Sequence, residues 1–164
     1  MRQATIDDFR GANVRGIFSL QGWALISAER YDPLLPPALN RRVGDARTEH
    51  LKAGLKSSPA LSVYECTGRY EGRLEASVLV LGIEEQAAAA IGRFYGQDTI
   101  IVPAGLLDVN RMTSLPHLSV SYEHADSLSV CRPILLDGTR VHYTQTNFSV
   151  VFGHATAVPH REAA

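Results

Sequence analysis

The stretch "SVLVLGI", Ser77 to Ile83, constrains the fold more than any other part of the chain. It is apolar at nearly every position. It shows neither the alternation of a half-exposed strand nor the period of about 3.6 residues of a surface helix. A short continuous run of this kind suits a strand buried on both faces, and so a central place in a sheet. "RLEA" extends it upstream to Arg73, and "EEQAAAAIGRFY" follows it. Alanine is the best helix former, and Glu84 and Glu85 suit the positive end of a helix. Gly96 stands where a left-handed cap closes such a helix. "DTIIVP" then reads as the next strand.

The flanks complete a pattern. "GWALISAERY" predicts a strand over Trp23 to Glu29. "DPLLPP" holds Pro33, Pro36 and Pro37 and predicts a loop. A helix is expected from a cap at Asp45, with Leu51 and Leu55 four apart on one face. "ALSVYEC" is a strand, and the two glycines of "TGRYEG" predict a hairpin. The order strand, helix, strand, strand, helix, strand is the split βαβ arrangement of ferredoxin-like folds. The expected class is therefore α+β: a ferredoxin-like βαββαβ core, an antiparallel sheet with two helices on one face. This core spans residues 1–110, with a loosely ordered N-terminus over 1–18. Residues 111–153 are strand-rich, and Asp137-Gly138 is a strong hairpin signal. They predict a β-hairpin extension packed on or extending the same sheet, followed by a flexible tail over 154–164.

Composition narrows the function classes. A chain of 164 residues fits one domain, and a net charge of −1 gives no global attraction to nucleic acid or an anionic membrane. Cys66 and Cys131 sit in apolar runs without a CxxC pair, so no zinc site is indicated. "MRQATIDDFRGANVRG" lacks the apolar core of a secretory leader. The expectation is a cytoplasmic protein with no cofactor, no metal and no membrane segment. HExxH, GxSxG, GxGxxG and GxxxxGK[ST] sequences are all missing.

Several motifs are familiar together. "ALISAERYD", "RTEHLKAGL", "RLEASVLVLGI" and "AIGRFYGQDTIIV" follow one another across roughly residues 20–110. Through Ser27-Ala28, Arg47 with Leu51 and Leu55, Glu75, and Tyr95-Gly96-Gln97, this block resembles the uncharacterised bacterial family called domain of unknown function 3293. The family's Asn-Pro after the first strand is replaced here by Glu29-Arg30, and its usual Phe by Tyr95; Asn40 is the nearest counterpart of its loop Asn, at a different spacing. The resemblance implies a fold and no established activity.

Two polar groups are the catalytic candidates. Glu75 could act as a general base or bind a hard metal, whereas Gln97 could position a ligand. In the expected sheet the first and third strands run parallel and the fourth opposes them. Glu75 opens the third and Gln97 the fourth, so the two are expected at opposite ends, separated by strand rising about 3.3 Å per residue. Ser27, Glu29, Arg30, Tyr31, Arg47 and Asp98 are the ligand- or partner-binding candidates near Gln97. Within that group, an Arg30–Asp98 ion pair is expected ahead of a Glu29–Asp98 carboxylate pair.

Without a reactive constellation, the favoured function is a small non-enzymatic binding or regulatory protein acting through protein–protein interaction. A phage- or plasmid-encoded inhibitor of host or defence machinery is one form of it. The alternative is a small hydrolase or transferase acting on a nucleotide-like ligand.

Overall fold

The computed structural model describes residues 2–10, 14–70, 73–114, 120–123 and 148–157. Three helices, a 3-10 turn and eight strands make up these residues. They are α1 (Ile6–Arg10), the 3-10 turn Val14–Ser19, β1 (Trp23–Ser27), α2 (Pro37–Lys56), β2 (Ser62–Tyr70), β3 (Arg73–Leu81) and α3 (Glu85–Phe94). β4 (Thr99–Val102), β5 (Gly105–Asp108), β6 (Thr113–Ser114), β7 (Val120–Glu123) and β8 (Phe148–Ala157) follow. The class is α+β. One sheet runs in the order β6-β5-β4-β1-β3-β2-β8-β7. Every neighbouring pair is antiparallel except β7 with β8.

The apolar run that opened the sequence reading forms the second half of β3, and Val78, Leu79 and Val80 are fully buried. β1 beside it is buried at all five positions. Alternation sorts these two strands onto two faces. Ala24, Ile26, Val78 and Val80 meet Leu51 and Leu55 of α2 and Ala88 and Ala89 of α3. Trp23, Leu25, Leu79 and Leu81 instead meet Phe9, Ile17 and Leu20 from the N-terminal segment. Within residues 1–18, expected to be loosely ordered, Ala4, Phe9 and Ile17 thus help to cover the second face. Phe9 packs edge-on against the Trp23 ring at 5.3 Å, and the Trp23 indole donates to the Ile17 carbonyl at 2.9 Å. Thr5 and Asp8 cap α1, with the Thr5 N–H donating to the Asp8 carboxylate.

Three expectations change and one strand is added. α2 begins at Pro37, not near Asp45, because proline is pre-set for the first helical position and lacks only an N–H the helix does not use there. β5 forms a direct hairpin with β4, closing at Val102 and Gly105. β8 continues to Ala157, into the segment expected to be a tail. Finally, β1 and β3 are antiparallel, with Ser27 opposite Ser77. The β1–α2–β2 crossover returns the chain in its first direction and the β2–β3 hairpin reverses it, so β3 opposes β1. β8 pairs with β2, so the described part of the C-terminal third widens the sheet. The Asp137-Gly138 hairpin, the strand runs around it and Cys131 lie outside the described residues.

Candidate functional site

The reversed direction of β3 brings the two catalytic candidates to the same end of the sheet. β4 begins beside the end of β1, and β3 begins there too. Glu75 and Gln97 therefore stand on the two sides of the chain leaving β1, and their expected separation by the length of the sheet is corrected.

Glu29 links the two sides. Its carbonyl accepts from the Gln97 side-chain amide at 2.9 Å. Its carboxylate accepts from the N–H of Ala76, the residue after Glu75, at 3.2 Å. Ser27 adds a clasp: its hydroxyl donates to the Ala76 carbonyl and accepts from the Glu29 N–H, both at 3.1 Å. The carboxylate lies directly against α2 at Gly44, where an added Cβ would sit 3.0 Å from Oε1. Burial raises the Glu29 carboxyl above the ordinary range; the Ala76 N–H opposes this and nearby Asp45 reinforces it.

Arg47 completes the cluster from α2. Its Nε donates to the Ala28 carbonyl at 2.6 Å, and its Nη2 donates to the Tyr95 carbonyl. The guanidinium carbon also lies 5.7 Å from the Tyr95 ring centre. Tyr95 in turn shares a hydrogen bond of 2.6 Å with His50 Nδ1. The end of α3 is closed by a Schellman arrangement, with Gly96 N–H donating to Arg93 and Gln97 N–H to Gly92. Gly96 adopts φ +71°, which an L side chain resists. This turn aims Gln97 at Glu29.

Of the remaining candidates, Arg30 lies over the Gly96 turn, where an added Cβ would sit 2.9 Å from its Nη1. Among the described residues Arg30 and Asp98 form no ion pair, and both are exposed. The Glu29 carboxylate turns toward Gly44 and Ala76, so the Glu29–Asp98 carboxylate pair is not formed either. Tyr31 is half-exposed. No group of three or more His, Cys, Asp or Glu among the described residues could hold a metal. No helix among them is long and apolar enough to cross a membrane.

Three features escaped the sequence reading. Lys52, though buried, is held between Glu49 and Glu65, pinning α2 to β2. Burial disfavours its ammonium, but hydrogen bonds and charge from the two acids outweigh this and raise it above the ordinary lysine range. The spacing of Glu49 and Lys52, three apart, was the available signal. Asn40 pins the proline-rich loop: it accepts from Asp32 N–H at 3.0 Å and donates to the carbonyls of Asp32 and Leu35 at 2.8 and 3.2 Å. Last, an apolar stripe runs along the outer face of α2. Leu39, Val43 and His50 lie opposite the buried Thr48 and Leu55, and exposed Phe94 stacks on His50.

Comparison with protein-family models, with curated proteins and with solved structures returned no match.

Proposed function

We propose that this chain is a binding or regulatory protein that acts through contact with another protein. The observation that carries the reading is where its exposed large apolar side chains lie. Tyr31, Leu34, Leu39, Val43 and Phe94 all belong to the exit of β1, to α2 or to the end of α3; among the described residues only Met112 lies elsewhere. Scattered surface apolar residues need no explanation, whereas grouped ones mark interaction surfaces. The polar cluster beneath them points the same way. Arg47, Gln97, Ser27 and Glu29 are each committed to backbone groups of this chain, which makes them a brace for the surface.

The fold reading that accompanies this is a ferredoxin-like core. It is supported by the order β4-β1-β3-β2, antiparallel throughout, with α2 and α3 on one face. The resemblance to domain of unknown function 3293 and the role as an inhibitor of host or defence machinery belong to the same proposal. The identity of a retained partner bears on the inhibitor role.

The test is retention of a stoichiometric partner from host lysate by the immobilised chain. The wild type retains one, and the variant Leu39→Ser/Val43→Ser/Phe94→Ser does not. Failure to retain any partner across several salt and pH conditions, or equal retention by both, contradicts the reading.

One observation favours the second reading, a small hydrolase or transferase. The half-buried Glu29 carboxyl, raised by burial, accepts from the N–H of Ala76, the residue after Glu75, while the Glu29 carbonyl holds Gln97, and such raised groups collect at reactive sites. A nucleotide and metal panel that leaves the melting temperature unmoved removes its support.

A further inference from the structure

Helix α2 carries two stripes on opposite sides. Gly44, Thr48, Leu51 and Leu55 are buried toward the sheet. Leu39, Val43, Ala46, His50 and Ala53 face outward, and all five are exposed. They follow one another at steps of 4, 3, 4 and 3 residues. That alternation makes a seam of the kind along which one helix packs against another. The sheet answers the inner stripe. The outer one is open to solvent and is widened by Phe94, which is 74% exposed and stacked on His50.

The charges beside the seam specify what fits it. At about 100° per residue, Arg42 and Glu49 border it on one side and Arg47 on the other. Neither Arg42 nor Glu49 is surplus charge. Asp45 lies three residues on from Arg42, and Glu49 shares Lys52 with Glu65. Their order along the helix is what matters. A second α2 laid antiparallel, with Ala46 on Ala46, sets Arg42 of each copy beside Glu49 of the other, twice by symmetry. The same register sets Val43 against His50 and Leu39 against Ala53. The small Ala46 side chains let the two backbones approach at the axis. A parallel copy instead brings the Arg42 side of one helix to the Arg47 side of the other, like charge against like.

We infer that the free chain pairs with a second copy of itself along this seam, α2 against α2, antiparallel and centred on Ala46. One helix pair rich in alanine buries less than the roughly 1,200 Å² at which stable specific interfaces begin, so the pair is weak and exchanges freely. This inference goes beyond the protein-binding reading and does not depend on it. Where a partner takes the same face, it displaces the second copy.

Sedimentation equilibrium of the full chain at low ionic strength, over a range of concentrations, tests the pairing. The wild type is expected to shift from one copy to two with a midpoint on the order of 100 µM. Arg42→Glu and Glu49→Arg each set like charges across the seam, and each alone is expected to need about tenfold higher concentration. Mixed one to one, the two variants regain both opposite-charge contacts and associate as the wild type does. Val43→Glu, in the seam and outside the ion pairs, is expected to stay monomeric. Circular dichroism of each variant checks that the fold is kept. A wild type that is monomeric throughout overturns the inference. So does a Val43→Glu variant that associates normally, or a mixture that associates no better than its components. None of these results touches the protein-binding reading, which falls on its own test, the failure to retain a partner from lysate.

Discussion

At the scale of single residues, Glu29 is the junction of the polar cluster. Its carbonyl, N–H and carboxylate each bind a different neighbour, so it ties the starts of β3 and β4 to the end of β1. Its carboxyl is raised in the fold chiefly by burial. A carboxyl raised on folding favours the protonated form, so its stabilising contribution is present below the unfolded pKa and is lost as pH rises through the folded value. Glu29→Gln keeps an acceptor for the Ala76 N–H and removes the charge. The variant is expected to melt slightly above wild type at pH 7, with the gap closing as pH falls through the carboxyl range. Melting curves from pH 3.5 to pH 7 check this, and a gap that widens toward acid contradicts it. Arg47 resists replacement for another reason: its fork reaches two carbonyls on different elements, which the single ammonium of lysine does not reproduce.

At the scale of elements, the closure of α3 decides where Gln97 points. Gly96 at φ +71° ends the helix, and its N–H and that of Gln97 bond back to Arg93 and Gly92. Gly96→Ala forces a side chain into the left-handed region and costs about 1 kcal/mol. Chemical denaturation should show a lower midpoint with an unchanged slope. This element was legible in the sequence, since an alanine-rich run with acids at its start and glycine at its end carries its own signals. The start of α2 was not. Prolines suit both loops and first helical turns, and the residue that settles the matter, Asn40, acts through contacts eight residues back at Asp32. The N-terminal segment was equally hidden. Phe9 stands between Asp8 and Arg10, and Ile17-Phe18 is a short apolar pair, and only the second face of β1 and β3 gives Phe9 and Ile17 a role.

At the scale of the whole molecule, strand direction governs the functional reading. The elements of the core could be read from the sequence, and so could the burial of β3. The error lay in running β1 and β3 parallel, and that placed Glu75 and Gln97 at opposite ends of the sheet. With every core neighbour antiparallel, the chain exits of β1 and α3 and the entries of β3 and β4 gather at one end. α2 projects over that end, with Arg47 gripping it from below and Leu39, Val43 and Phe94 left facing outward. The braced polar layer and the apolar face above it are therefore separable parts. The most direct test crosses them, measuring affinity for the retained partner together with melting temperature in two variants. Leu39→Ser/Val43→Ser/Phe94→Ser is predicted to lose binding at an unchanged melting temperature. Gln97→Ala, which leaves the Glu29 carbonyl without its donor, is predicted to melt lower and still bind. The reverse pattern, binding lost in Gln97→Ala and kept in the α2-face variant, would place function in the polar cluster and contradict the account.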